Sequence, residues 1–240
     1  MIRRVVWAYA DRLPAALVPH VGAIAFRYPP PIGTVRFVLR NNAGADLFIH
    51  SEVFEHQYYR LPLPRRPLTI LDLGANIGLS AVYFGRMFPD AALACVEPAP
   101  DNLRLLRRNL ALNAVRATVM AAAVDAGDRP LLLELQGRDY EHAIVEAGAQ
   151  GTRPTLPVEG ISVPTMLRRL AWDRIGLLKV DIEGHEVALF ARDCDWLKRV
   201  DAMCIEWHVE CGATRLASLA RQFGFSEPQR LPANIWFLTR

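Results

Sequence analysis

From Thr69 onward the sequence repeats one unit: a short apolar run without polar alternation, a turn, then apolar residues at helical spacing. Runs of that kind are strands buried on both faces, and helices between them force a mainly parallel sheet covered on both sides. The pattern predicts strands at 69–73, 92–96, 117–123, 176–181, 202–207 and 234–238, with helices near 79–88, 101–113, 163–171, 186–192 and 214–223. The fold class is therefore α/β, and such sheets take ligands at the carboxyl ends of their strands. A chain of 240 residues can bury one large core, and a hydrophobic content of 52% excludes disordered and fibrous classes.

The first 66 residues follow a different rhythm and read as an N-terminal cap of helix, β-hairpin and helix, set before a domain spanning 67–240. "MIRRVVWAYADRLPAALVPHVGAIAF" opens like a signal peptide, but Asp11, Arg12, Pro14 and His20 interrupt it. It reads as an amphipathic cap helix, with contact to a membrane surface as the lesser alternative and no spanning segment. "TVRFVLRN" and "ADLFIHS", joined by "NAGA", predict a hairpin, and Phe54, Tyr58 and Leu61 predict a helix after it. "PLPRRP" ends this preamble. Residues 126–160 interrupt the later repeat: "LLLEL" is an extra strand, and the Gly-rich stretch behind it suggests a lid or substrate loop.

In "LTILDLGANIGLSAVYFGRMFP" a buried strand ends beside Asp72, and Gly74, Ala75, Asn76 and Gly78 turn the chain into a helix. Backbone amides at such a helix start face a ligand, and glycine lets the main chain approach it. A dinucleotide would bring a diphosphate and favour GxGxxG, whereas the spacing here is GxxxG with a carboxylate just before it. S-adenosylmethionine brings an ammonium and a sulfonium, which Asp72 complements directly or through the groups it orients. The next strand ends in "VEP", where Glu97 can accept both hydroxyls of a ribose, with Pro98 and Asn102 beside it. Asn76 and Asn102 are candidate polar contacts; helix capping is the other role open to Asn102.

"DLGANIG", "VEPAPDNLRLLRRNLALN", "AAAVDAGD", "GLLKVDIEGHE" and "CIEWH" together resemble the FkbM family of class I S-adenosylmethionine-dependent methyltransferases, over most of the chain from about Phe54. The resemblance implies a Rossmann-like, seven-stranded sheet whose last strand is antiparallel, and O-methylation of a sugar or other small molecule. It also implies an aromatic wall over the cofactor, supplied by Tyr59 or Tyr58, although packing of the preamble would use the same side chains. One departure is "ISVPTML", where the family often has a Leu-Asp pair. No role of that aspartate carries over.

Methyl transfer to an alcohol needs a base near the acceptor oxygen and an in-line approach. "LLKVD" delivers Asp181 to a strand end, Gly184 allows close packing there, and Glu183 and Glu186 are placed to cap the next helix. "CIEWH" ends in Glu206 and His208, which share a strand face. If the two strands are neighbours, Asp181, Glu206, His208 and His185 converge; His208 is the first candidate base and His185 the second. The same set could hold a divalent metal, a less favoured reading because no HxxxH or DxD spacing supports it.

The basic residues are nearly all arginine, spread evenly, and net charge is only +3, so no nucleic-acid footprint is visible. Cys95, Cys194, Cys204 and Cys211 show no metal spacing and read as reduced thiols in a cytoplasmic protein. The sequence thus points to an S-adenosylmethionine-dependent O-methyltransferase acting on a small-molecule hydroxyl. A cofactor-binding module without turnover and a nicotinamide-dependent oxidoreductase are the alternatives. Oligomeric state, a homodimer included, is left open.

Overall fold

Residues 20–134, 143–145, 154–209, 212–232 and 234–240 are described by a computed structural model. The expected helix at the N-terminus lies largely outside them, but its last part is a strand. β1 (His20–Arg27) pairs antiparallel with β2 (Thr34–Arg40), so β2 finds its hairpin partner before it, not after it. "ADLFIH", expected as the second strand, is α1 (Ala45–His50), and a single π-helical turn follows at Ser51–Glu55 in place of the longer helix. The reason lies in two buried polar side chains, Asp46 and His50, spaced i and i+4. A pattern scored on apolar residues alone reads that segment as alternation.

The central sheet is built as the apolar runs required. β3 (Thr69–Leu73), α2 (Leu79–Met87), β4 (Ala92–Val96), α3 (Pro100–Leu112) and β5 (Thr118–Met120) step outward in one direction. The chain then crosses back through α4 (Val163–Leu170) to β10 (Ile175–Val180), α5 (Glu186–Leu189) and β11 (Val200–Glu206), on the other side of β3. α6 (Gly212–Phe223), β12 (Gln229–Arg230) and β13 (Ile235–Thr239) finish it, giving the order β12-β13-β11-β10-β3-β4-β5. The five strands from β11 to β5 are parallel, and β13 runs antiparallel to β11. The order reverses between β3 and β10, and the crevice at that switch point is where open α/β sheets place a ligand.

Successive strand residues face opposite sides and fill two cores. Leu71, Leu73, Leu178, Val180, Met203 and Ile205 pack with α4 and α6 on one face. Ile70, Leu93, Leu177 and Cys204 pack with α2 and α3 on the other, where Phe37, Leu39 and Phe54 of the preamble complete the same core. Asn109 of α3 and Asn113, which caps its C-terminus, hold β2 there: the Arg36 and Val38 amides donate to the side chains of Asn113 and Asn109, both at 2.8 Å. An edge strand is thereby covered by amide side chains one helical turn apart.

The excursion at 126–160 is more regular than its composition suggested. β6 (Ala123–Val124), β7 (Pro130–Glu134), β8 (Ala143–Val145) and β9 (Thr155–Ile161) form a second sheet in the order β6-β9-β7-β8. The expected strand in "LLLEL" is β7, and the expected strand at 117–123 divides between the two sheets as β5 and β6. β9 was hidden by Pro157 and Gly160, residues that argue against a strand. Gly160 is there because a Cβ would come within 2.3 Å of the Arg129 carbonyl oxygen. Residues 135–142 and 146–153 lie outside the described set.

Candidate active site

The turn after β3 needs its glycines for two separate reasons. Gly74, at φ +77°, sits where β3 meets β10, and a Cβ there would lie 1.7 Å from the Asp181 carbonyl oxygen. Gly78, at φ +89°, caps α2 in the left-handed region, with Leu106 directly against it. Asn76 adopts φ +48° between them. The amides of Gly74 and Ala75 donate to the Val96 carbonyl, that of Asn76 to Glu97, and that of Gly78 to the Ala75 carbonyl. These four amides are spent inside the protein, so the turn does not offer them to a ligand as the sequence suggested. This disfavours a diphosphate more directly than the charge of Asp72 does.

Asp72 is wholly buried and lines neither of the pockets described below. Strand register sets it beside Lys179, whose ammonium lies 3.1 Å from its carboxylate, and Ser80 Oγ donates to it at 2.7 Å. Lys179 also donates to the Gly74 carbonyl at 2.6 Å and stands 3.3 Å from Asp181. Burial alone would lower the Lys179 pKa, but Asp72 and Asp181 outweigh it and hold the ammonium well above its usual value. Asp72 thus acts through Lys179, fixing the glycine turn and Asp181, and does not itself face a cofactor. Sequence reasoning passed over Lys179, although a lysine inside the buried run "GLLKV" needs a carboxylate on a neighbouring strand.

A cleft opens over the switch point, lined by Gly74, Asn76, Asp181 and Glu183 and by Glu97, Pro98 and Asn102. Glu97 accepts from the Asn76 and Ala99 amides, each at 2.9 Å, and from Asn102 Nδ2 at 3.0 Å. Asn102 in turn accepts from Arg40 at 2.6 Å, and Arg40 is paired with buried Asp46, so the preamble hairpin is wired to this carboxylate. Asn102 is not a helix cap; α3 is preceded by Ala99. Burial pushes the Glu97 pKa up against those hydrogen bonds. Val96, Ala122, Val124, Leu133 and Ile182 give the cleft an apolar wall.

His185 belongs to this cleft and not to the cluster expected for it: its Nε2 is 3.0 Å from Asp125, which also binds Arg129 at 2.6 Å. Burial would raise the Asp125 pKa, but the hydrogen bonds from Arg129 and His185 win and hold it low. Gly184 also serves another purpose than expected. No atom beyond its chain neighbours lies within 4 Å of the position of a Cβ, and its φ of +93° is what requires glycine.

A second pocket shares Gly74, Asn76, Asp181 and Glu183 with the first and adds Ala75, Glu52, Tyr58, Tyr59, Lys179, Glu206 and His208. Both tyrosines line this pocket and not the cleft; buried Tyr59 also packs on Phe84, with ring centroids 5.5 Å apart. β10 and β11 are adjacent and parallel, which brings Asp181, Glu206 and His208 together as the sequence required. His208 Nδ1 is 3.0 Å from Glu186, while Nε2 is 3.7 Å from Glu206 and 3.9 Å from both Asp181 and Glu183. Buried Glu186 also accepts from the Ile182 and Gly184 amides, capping the turn before α5; Glu183 instead lines both pockets.

Burial would weaken the proton affinity of His208, but the Glu186 hydrogen bond and the surrounding carboxylates raise its pKa to about 9. Its ring is then an imidazolium at neutral pH, a poor match to the free base the sequence suggested. Burial, then Asp181, raises Glu52 and Glu183 each to about 7, and the same two causes raise Glu206. Glu52 is a further residue the sequence did not single out. It arrives from the π-helical turn, far away in the chain.

The cleft suits an adenosine whose attached chain carries positive charge: a buried carboxylate just past β4, an apolar wall, two further acidic groups, and turn amides already engaged. At the switch point of this sheet, with an antiparallel final strand, these features define a class I methyltransferase fold. A family model described as the methyltransferase FkbM domain matches residues 72–224, and the chain belongs to that family, whose cofactor is S-adenosylmethionine. Methyltransferase sdnD of Sordaria araneosa is 34% identical over 171 residues, 58% of this chain and 66% of that protein. The 31-O-demethyl-FK506 methyltransferase FkbM of Streptomyces tacrolimicus is 28% identical over 220 residues, 77% of this chain and 84% of that one. A solved methyltransferase FkbM from Methylobacillus flagellatus shares the fold, with a TM-score of 0.53 at 14% identity, over 76% of this chain and 46% of that one. The chain therefore spans just under two thirds of the fungal relative and under half of the solved one. No helix among the described residues is long and apolar enough to cross a membrane.

Proposed function

We propose that the protein is an O-methyltransferase that moves the methyl group of S-adenosylmethionine to a hydroxyl of a small molecule. The observation that carries this reading is the shared wall of the two pockets: Gly74, Asn76, Asp181 and Glu183 belong both to the adenosine-type cleft and to the chamber holding Glu206 and His208. When bound, the cofactor supplies a methyl group on a positively charged sulfur that leaves as a neutral thioether.

The residues of the chain do the rest. Glu97 and Asn102 hold the ribose, Asp181 and Glu183 favour positive charge at the border of the pockets, and the tyrosines and Glu52 enclose the acceptor away from water. The acceptor hydroxyl is placed against the Asp181, Glu206 and His208 cluster and loses its proton there as the new O–CH3 bond forms. Most of the rate gain comes from alignment, because the leaving group is already activated. The Streptomyces relative, named as a methyltransferase of 31-O-demethyl-FK506, supports oxygen as the atom methylated.

Calorimetry with S-adenosylhomocysteine tests the first half of the proposal, and transfer of a labelled methyl group to a panel of hydroxylated compounds tests the second. Saturable cofactor binding with label appearing on oxygen is expected. Tight NADH binding with no affinity for S-adenosylhomocysteine would overturn it, and binding without turnover on any hydroxyl would leave a cofactor-binding module.

A further inference from the structure

The parallel pairing of β10 and β11 brings one imidazole and two carboxylates to a single point: a ligand atom of Asp181, Glu206 and His208 each lies within 4.8 Å of the other two. The imidazole is aimed. Its Nδ1 is held from behind by Glu186, a fully buried carboxylate pinned by two main-chain amides, which turns Nε2 toward the other carboxylates and makes it the nitrogen a cation would take in place of a proton. Carboxylate behind, imidazole between and cation in front is the recurring arrangement of metal-bound histidines.

The spacing in front of Nε2 points the same way. Glu206 at 3.7 Å, with Asp181 and Glu183 at 3.9 Å, is too far for a hydrogen bond. Donors about 2.1 Å from a common octahedral ion stand roughly 3.0 to 4.2 Å from one another, and these separations fall within that range. Charge adds a third argument. Glu52, Asp181, Glu183 and Glu206 line one pocket, and Lys179, the only lysine or arginine there among the described residues, is shared between Asp72, the Gly74 carbonyl and one oxygen of Asp181, which leaves the other carboxylates of the pocket without a lysine or arginine beside them.

We propose that Asp181, Glu206 and His208 Nε2 bind one divalent cation of the Mn2+ type at the mouth of the acceptor pocket. One nitrogen and two carboxylate oxygens suit Mn2+ better than Mg2+, which prefers oxygen alone, and three protein donors leave positions open for water and an acceptor oxygen. This deepens the methyl-transfer reading and rests on it for its role. The acceptor hydroxyl binds the cation and releases its proton to solvent, the oxygen forms the O–CH3 bond as the S–CH3 bond breaks, and the bonding pair leaves with sulfur as a neutral thioether.

The test is a titration of the full chain with Mn2+, following loss of the free-ion signal by electron paramagnetic resonance. Uptake of one ion per chain is expected, weakened at least tenfold by Glu206→Gln or His208→Gln. Glu186→Gln, which keeps the shape behind the ring and removes its charge, is expected to weaken uptake about tenfold. Circular dichroism checks that each variant is folded. No loss of free-ion signal at millimolar Mn2+, or uptake that neither ligand substitution weakens, overturns the site. S-adenosylhomocysteine calorimetry in chelator separates the two proposals: cofactor binding without Mn2+ uptake sinks the cation alone, whereas failure of cofactor binding sinks the methyltransferase reading.

Discussion

Replacing Lys179 with methionine removes the only cation paired, among the described residues, with Asp72, a carboxylate that has no contact with solvent. At 3.1 Å and an effective dielectric of about 20, the attraction between Lys179 and Asp72 is on the order of 5 kcal/mol. Burying the two ions offsets much of this, so the pair adds little net stability over an apolar substitute. Breaking it is another matter. Lys179→Met leaves Asp72 with Ser80 as its remaining hydrogen-bond donor, and the expected cost is about 3 to 5 kcal/mol. Asp72→Asn is milder, at about 1 to 3 kcal/mol, because Lys179 keeps Asp181 and the Gly74 carbonyl. The double variant strands no carboxylate at position 72, so its loss should fall short of the sum of the single losses by at least about 2 kcal/mol. Denaturant unfolding of the four proteins at one pH measures this, and S-adenosylhomocysteine calorimetry on the folded fraction reports whether the turn moved. Additivity within about 0.5 kcal/mol would show that the two groups do not interact as the register implies.

Gly74→Ala should abolish S-adenosylhomocysteine binding in calorimetry and lower the melting temperature, since the new Cβ meets main chain at 1.7 Å; a variant with unchanged affinity would refute the close approach of β3 and β10. Glu97→Gln keeps the shape but loses a charged acceptor, which should weaken S-adenosylhomocysteine by about 1.5 to 3 kcal/mol, or roughly tenfold to a hundredfold; equal affinity at saturation would remove Glu97 from the ribose site. His50, buried among Phe26, Phe37 and Phe54, has its pKa lowered by burial from 6.5 to about 4. The unfolded chain therefore binds this proton first, and stability is full above pH 6.5 and lost as pH falls toward 4, by about 3 kcal/mol in all. His50→Phe should flatten that part of the profile in thermal melts recorded from pH 7 to pH 4, and an unchanged slope would count against a neutral buried ring.

The sequence by itself determined the parallel sheet, because a strand buried on both faces leaves a short continuous apolar run, and the amphipathic helices alternating with those runs return the chain to start each strand in the same direction. It also marked Gly74, Asn76, Glu97, Asp181, Glu206 and His208, which lie at strand ends or within three residues past them and so stand out against the runs before them. What it could not supply was the pairing of distant residues. Asp72 read as a ligand-facing charge until the register set Lys179 beside it, and His185 read as a second base until it was found with Asp125 in the other pocket. The hairpin was assigned to the wrong partner, and the strand at Thr155–Ile161 was missed, because strand pairing is a contact between segments and leaves no local signal. Only tertiary structure decided which charges are neutralised and which remain exposed to a ligand, since a carboxylate carries the same letter whether a lysine across the sheet cancels it or an open pocket keeps it.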